Sequence, residues 1–489
     1  QNPFEREFEC VKRDAKAGRM EAALHRLQIM EQEDLFPMER RWELHELMGQ
    51  ILFLFADLKA ALPHLKLAWE LPRTDHGARL AALSNYLMYL HYIEGVTNEE
   101  MRAAHSSYAE MMGTLTQFSH GKRRRKRIRV GYLSPNLTDH IVLNFAIQLF
   151  ADYDRDRFEV YLYDIGDLQS EVTDWVAGMA DRYVDLSKFS PQKSAEHIYA
   201  DQVDILFDLA GHSAGGATLQ IAAYKPSPVQ ISGIGYFNTT GLPAVDYMLS
   251  DVHVDPLGTD DDAFTEEMIC LPHSHFCYTL PSDLPAIALP PMERRGYVTF
   301  GSFNNFSKVT DDVLRLWGAL LETVPSSRLL LKSKLFGSAE GREIAAERFT
   351  RYGIPTERVE LRGFGPHHLA EYGDMDIALD TFPYTGGITT CEALAMGVPV
   401  VTLCGTSHGA RFGESLLINA GLPELIAATP EGYVQIAAAL ASSSDTLHAL
   451  RTNLRSILAH SSLTDARTYV RDVEAAYMEI WERFVRRNG

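Results

Sequence analysis

Through residues 4–118 apolar positions recur at helical spacing, as in "AGRMEAALHRLQIMEQ", with polar residues between them. "ELMGQILFLFADLKAALPHLKLAWEL" predicts a helix, a short turn at Ala56-Asp57, and a second helix carrying Pro63. "ARLAALSNYLMYLHYI" and "TNEEMRAAHSSYAEMMGTL" extend the helical block, and Thr97 with Glu100 has the spacing of a capping box. The pattern changes at Arg127. Short apolar runs, "RIRVGYLSP", "FEVYLYDIG", "DILFDLAGH", "VQISGIGY" and "VDYMLSD", alternate with helical stretches such as "VTDWVAGMADRY" and "SAEHIYAD". Such alternation predicts a parallel sheet with helices on both faces. A proline-rich piece, "LPSDLPAIALPPMERRG", interrupts near 280–296 and reads as an interdomain linker. The alternation resumes with "YVTFGSF", "RLLLKSK", "RVELRGF", "MDIALDT" and "VPVVTLCG", and closes on a long amphipathic helix, "DARTYVRDVEAAYMEIWERFVRR".

The expected organisation is a helical domain at 1–120, a Rossmann-like α/β domain at 127–283, and a second one at 296–489 that includes the last helix. The helix–turn–helix unit is similar to a tetratricopeptide repeat. At most two repeats fit, and a solenoid needs about three to bury a continuous core, so a short array packed on the neighbouring α/β domain is expected. Composition changes little in this picture: 46% apolar and 23% charged residues are ordinary for a globular chain of 489 residues. No run of about 18 uncharged apolar residues exists, so no membrane span is expected. The opening "QNPFEREFEC" lacks the basic-then-apolar pattern of a signal peptide, which points to a cytoplasmic location. Five scattered cysteines without a CxxC pair read as reduced thiols, mostly core. A net charge of −19 sets the chain against general nucleic-acid binding. The basic run "GKRRRKRIRV" at 121–130 reads as a solvated linker, with an anionic partner as the alternative.

Ligands of open parallel sheets bind beyond the carboxyl ends of the strands, so the polar residues there are the candidates. They are Asn136, Asp139 and His140 after the first strand, His212 after "DILFDLAG", and the Gly/Thr loop "GYFNTTGLP" with Tyr236. In the second domain they are Asn304, Asn305 and Lys308 in "GSFNNFSK", His367 and His368 in "GFGPHH", and "PYTGGITTCE". The last opens a helix. A helix N-terminus carries unpaired N–H groups and partial positive charge, and binds phosphate without a metal. Gly386 and Gly387 let the backbone approach closely, Thr389 and Thr390 cap the helix or donate hydroxyls, Glu392 can accept from ribose, and Lys308 supplies a cation for a diphosphate. The plain alternative is a Gly-Thr helix cap. No GxxxxGK[ST] exists and no GxGxxG opens a helix after the first strand, which weakens an NTPase or dinucleotide enzyme. Asp374 and Asp376 form a DxD pattern, but they precede their strand and read as its polar entrance.

"RVGYLSPNLTDH", "DILFDLAGH", "GYFNTTGLPAVDY", "GSFNNFSKVT" and "LDTFPYTGGITTCEALAMGVPVVT", in this order, resemble the O-GlcNAc transferase and SPINDLY family over roughly residues 75–487. The resemblance implies a GT-B fold and an inverting, metal-independent transfer of GlcNAc from UDP-GlcNAc to Ser or Thr hydroxyls of proteins. It implies His140 near the reacting centre as base or positioning group, with helix capping as the alternative. It implies Lys308 and Asn305 at the diphosphate, His368 at the nucleotide base, and Thr389 and Thr390 in the diphosphate cradle. It further implies Glu392 at the ribose, His212 and Tyr236 facing the sugar or acceptor, and Tyr384 near the donor sugar. His212 could equally be a loop hydrogen-bonder, His367 simply exposed, and His408 a residue of the cleft. The Gly-Ile-Thr-Thr run is closer to SPINDLY, whose relatives use GDP-fucose, and bacterial relatives use UDP-glucose. Acceptors implied for bacterial members are flagellin or other surface proteins, and a short helical module with an exposed apolar face favours a homodimer. Two readings compete: a different enzyme of the same fold acting on small molecules, and a helical-repeat scaffold whose catalytic half is inactive.

Overall fold

The computed structural model describes residues 3–121, 123, 125–258 and 263–487. Two parallel sheets form its body. The first holds β1 (Ile128–Ser134), β2 (Phe158–Asp164), β3 (Arg182–Asp185), β4 (Ile205–Asp208), β5 (Val229–Ser232), β6 (Tyr247–Asp251) and β7 (Glu267–Leu271). Their order is β3-β2-β1-β4-β5-β6-β7, with every pair parallel. The second holds β8 (Thr299–Ser302), β9 (Arg328–Lys332), β10 (Val359–Arg362), β11 (Ile377–Leu379), β12 (Val400–Leu403) and β13 (Ile426–Ala427), in the order β10-β9-β8-β11-β12-β13. Each order reverses direction once, between β1 and β4 and between β8 and β11. Those are the switch points at which α/β sheets open a crevice for a ligand. The two Rossmann-like halves make the GT-B architecture expected from the alternating pattern.

The apolar core runs between the halves, where Phe276 packs on Phe145 (ring centroids 4.5 Å) and on Phe412 (5.1 Å). The last helix, Ala466–Arg487, comes after the second domain in sequence but packs on the first. Tyr477 hydroxyl meets Tyr132 hydroxyl of β1 at 3.0 Å, and Glu474 accepts from the Asp154 N–H at 2.7 Å.

Six α-helices among the described residues precede the sheets: Pro3–Lys16, Met20–Gln32, Arg41–Leu54, Leu58–Glu70, His76–Leu90 and Asn98–Met112. The turn at Ala56-Asp57 forms as the pattern suggests: Ala56 is left-handed (φ 59°) and the Asp57 carboxylate caps the next helix through the Ala60 N–H at 3.2 Å. The Thr97–Glu100 capping box has both its bonds. Helix does not continue to residue 118, because Gly113 (φ 71°) ends it. Of the basic run, Lys122 and Arg124 lie outside the described residues. Arg123 donates to the Val203 carbonyl, Arg125 to Gln202, and Arg127 and Arg129 to Glu159, so these four are bound to the first domain.

Candidate active site

The second switch point is built from the loop after β8, the loop after β11 and the helix Ile388–Ala395. Lys308 ends the first loop. Its ammonium donates to the Thr385 carbonyl at 3.2 Å and lies 3.6 Å from the Tyr384 ring centroid, a cation–π contact. Burial pushes the Lys308 pKa down, and the Asp380 carboxylate opposes that shift. Asp380 comes directly after β11 and is buried. One of its oxygens accepts from the Gly386 N–H (2.7 Å) and the Thr381 N–H (2.9 Å), the other from the Thr402 hydroxyl (2.7 Å). Burial pushes its pKa up. Asp380 therefore fixes the backbone of the glycine turn and supplies the negative charge that keeps the half-buried lysine protonated.

The two glycines differ. A Cβ on Gly386 would stand 2.6 Å from the Thr389 hydroxyl, 2.9 Å from that of Thr390 and 3.1 Å from Asp380, whereas one on Gly387 would meet nothing within 4 Å. Gly386 is thus demanded by packing, and Gly387 faces open space at the helix N-terminus. Thr389 donates to the Asn304 side chain at 3.0 Å, joining the two loops of the switch point. Thr390 is buried and donates to the Gly386 carbonyl at 3.4 Å. Glu392 accepts from the Tyr372 hydroxyl (2.8 Å) and meets His368 Nε2 at 2.9 Å, and the His368 ring lies 5.9 Å from Phe303. Asn305 is exposed and takes a 3.5 Å contact from the Ser333 hydroxyl. His367 is exposed.

Across the cleft His140 caps the helix Ile141–Ala146: its Nδ1 accepts the Val142 N–H at 3.2 Å. That bond puts the proton of the neutral ring on Nε2. Desolvation lowers its pKa despite Asp139 beside it.

His212 and Tyr236 lie elsewhere than expected. They are 0% and 1% exposed, beneath the helical domain. His212 Nδ1 accepts from the Ser84 hydroxyl (2.9 Å) and its Nε2 donates to the Thr240 carbonyl (2.7 Å). His105 Nδ1 donates to the Met101 carbonyl, leaving its Nε2 to accept from the Tyr236 hydroxyl at 2.5 Å, which in turn accepts from His91 Nε2 at 3.1 Å. Every tautomer is satisfied by neutral imidazoles, and burial lowers all three pKa values, His105 to about 4. His408 is also buried, with Nδ1 2.6 Å from Asp255 of the first domain. Both DxD carboxylates are engaged: Asp376 accepts from the Met292 and Thr299 N–H groups, and Asp374 pairs with Arg295 and Arg362. Of the cysteines, Cys277 and Cys391 are buried and the other three half-buried, all free thiols.

Tyr384 is where three parts of the chain meet. Its ring lies 5.1 Å from Tyr92 of the helical domain and 4.5 Å from Phe237 of the first sheet domain, while the Lys308 ammonium of the second sits on its face. Beside this junction a cavity of about 450 Å³ separates the helical domain from the second sheet domain, with Phe55, Lys59, Tyr92, Thr310, Asp311 and Arg348 among its walls.

The sequence matches the family model described as "Glycosyl transferase family 41" over residues 108–282 and 293–473. It is 35% identical over 411 residues to the probable UDP-N-acetylglucosamine–peptide N-acetylglucosaminyltransferase SPINDLY of Petunia hybrida, covering 82% of this chain and 44% of that protein. It is 24% identical over 480 residues to the UDP-N-acetylglucosamine–peptide N-acetylglucosaminyltransferase of Caenorhabditis elegans, covering 73% of this chain and 41% of that one. The chain thus spans less than half the length of these curated relatives. A solved structure of a mutant O-GlcNAc transferase from Thermobaculum terrenum superposes with a TM-score of 0.90 at 30% identity, over 100% of this chain and 92% of that one. The match over most of both sheet domains, on a fold with its glycine turn and lysine at the second switch point, establishes that the chain belongs to glycosyl transferase family 41.

Proposed function

We propose that the chain transfers GlcNAc from UDP-GlcNAc to Ser or Thr hydroxyls of a protein, by in-line displacement with inversion and without a metal. The observation that carries this reading is the Lys308 ammonium held over Tyr384 at the glycine turn that opens the helix Ile388–Ala395. As the bond from the anomeric carbon to the diphosphate breaks, negative charge grows on the leaving phosphate. Lys308, the Thr389 hydroxyl and the free N–H groups at the helix start stabilise that charge where it develops. Asp380 holds the turn in place. Glu392 and His368 take the ribose and base end of the donor. His140, with its proton on Nε2, positions an oxygen by donating to it. It can act as a base only after giving up its cap to Val142, so the acceptor proton passes to a donor phosphate oxygen or to water. The cavity at Lys59, Thr310 and Arg348 supports entry of a protein segment beside the donor.

A second reading, protein O-fucosyl transfer from GDP-fucose, rests on the Gly-Ile-Thr-Thr run; UDP-glucose is the third donor to test. Among the described residues no helix is long and apolar enough to cross a membrane. We place the reaction in the cytoplasm, on flagellin or another surface protein, with the enzyme as a homodimer. The deciding experiment incubates the chain with each donor, with and without EDTA, and reads nucleotide release and the mass of the acceptor protein. EDTA-insensitive release of UDP from UDP-GlcNAc with a GlcNAc mass gain supports the first reading. GDP release from GDP-fucose alone selects the second. No turnover of any donor leaves the inactive scaffold.

A further inference from the structure

Away from the cleft, three side chains from three successive helices converge. His45 comes from Arg41–Leu54, His64 from Leu58–Glu70 on the other arm of the Ala56-Asp57 hairpin, and Glu31 from the end of Met20–Gln32. The two Nδ1 atoms are 2.9 Å apart, the rings 5.1 Å between centroids and tilted by 34°. One carboxylate oxygen of Glu31 and both ring nitrogens all lie within 4.8 Å of one another. Glu31 is exposed and the histidines half-buried.

We propose that His45, His64 and Glu31 bind a divalent cation of the zinc class, with three protein ligands and a water in the fourth position. The donor set is borderline-soft nitrogen with one carboxylate, which suits zinc and its neighbours and not magnesium or calcium. Zinc–nitrogen bonds of about 2.0–2.1 Å at tetrahedral angles separate two nitrogens by roughly 3.3 Å. The pair needs to open by only a few tenths of an ångström, and the exposed Glu31 has free rotamers with which to close. In the contact between the rings one Nδ1 donates to the other, and ligation asks that ring to move its proton to Nε2. A hydrogen bond between the two rings uses one proton and leaves the Glu31 carboxylate unused; a cation uses all three groups.

Bound there, the ion ties the helix Met20–Gln32 to the helical hairpin Arg41–Glu70. That hairpin braces the Lys308 loop: the Phe53 carbonyl accepts from the Ser307 hydroxyl at 3.1 Å, and Lys59 pairs with Asp311 at 2.8 Å. The site is distinct from the transfer chemistry and stands or falls independently of it.

The test uses the full chain, free of metal and of any polyhistidine tag, titrated with Co²⁺ and then Zn²⁺. The expected result is the visible absorption of tetrahedral cobalt saturating at one equivalent, bleached by Zn²⁺, with a rise in Tm that EDTA reverses. His45→Ala and His64→Ala should abolish the band, and Glu31→Gln should weaken binding by at least about 10-fold, the lower end of what loss of even an outer-shell partner costs. Should the histidine variants misfold by circular dichroism, the surface variant Glu31→Gln decides alone. Absence of the cobalt band and of a Zn²⁺ shift in the unmodified chain overturns the proposal, and so does affinity unchanged by Glu31→Gln.

Discussion

Among the described residues Lys308 has no carboxylate in contact: its ammonium rests on a ring face and a carbonyl, while Asp380 acts on it from a greater distance. A cation held this way is poised for a phosphate. Lys308→Ala should lower kcat by about 10²–10³-fold, the cost of removing one electrostatic stabiliser from a water-poor site. Its Tm should change little, because the lysine's desolvation cost is relieved while Asp380 loses the cation that offsets its charge. Rates from purified variant and a thermal melt check both halves, and near-normal turnover would remove Lys308 from the mechanism. The pH dependence has a definite sign. Burial lowers the Lys308 pKa, the protonated form is the useful one, and so kcat/KM should fall as pH rises through that lowered value, before an ordinary lysine titrates. The limb should be absent from the residual activity of Lys308→Ala. At this scale much is legible in sequence, since Lys308, Thr389, Thr390 and Glu392 sit at strand ends or at a helix start. Asp380 is absent from the sequence-based candidates, although it stands directly after its strand, as a site residue at a switch point does. Asp374 and Asp376 precede that strand and are engaged by backbone N–H groups and arginines.

The element that carries the site is a helix of eight residues, Ile388–Ala395, whose first turn is fixed by the loop before it. The contrast between its two glycines gives a sharp test. Gly386→Ala forces a methyl into the Thr389 and Thr390 hydroxyls and Asp380, so it should lower Tm and weaken donor binding together. A methyl at Gly387→Ala meets nothing within 4 Å, so this variant should lose less Tm than Gly386→Ala and show its larger effect on donor affinity. Melting curves and donor titrations of both variants decide this, and equal melting of the two would show the turn to be looser than its contacts imply. Strands are legible where burial on both faces makes an unbroken apolar run, as in β4, β9 and β12. Three of the four edge strands are not: β3 is half-exposed, β7 is exposed at its start, and β13 spans two residues, while β10 is legible as "RVELRGF". "VQISGIGY" stops at Ser232 because Gly233 and Ile234 take positive φ, which no apolar pattern reveals.

At the scale of the whole molecule, the helical domain packs into one body with the sheet domains and is not an appended tether. Leu80, Leu83, Leu87 and Leu90 pack with Leu219, Ala222 and Leu242 of the first sheet domain, each buried leucine worth about 1.5–3 kcal/mol. Beneath them runs the chain from Met101 through His105 and Tyr236 to His91. Strand-end position makes His212 and Tyr236 candidates, and it is the family resemblance that turns them toward the sugar or acceptor. The residues that cover them stand more than 100 positions earlier, and such long-range cover leaves no local signal. The two placements predict different phenotypes. Tyr236→Phe removes one hydroxyl and leaves the buried His91 and His105 nitrogens without partners, at about 1–3 kcal/mol for each unsatisfied group. Under this structure the variant melts several degrees lower, while donor affinity and turnover per folded molecule stay within twofold of the parent. If Tyr236 instead faces the sugar, Tm stays put and kcat/KM drops. Measuring both on one preparation separates the cases, because a residue that holds the helical domain in place and a residue that holds the substrate cannot give the same pair of results.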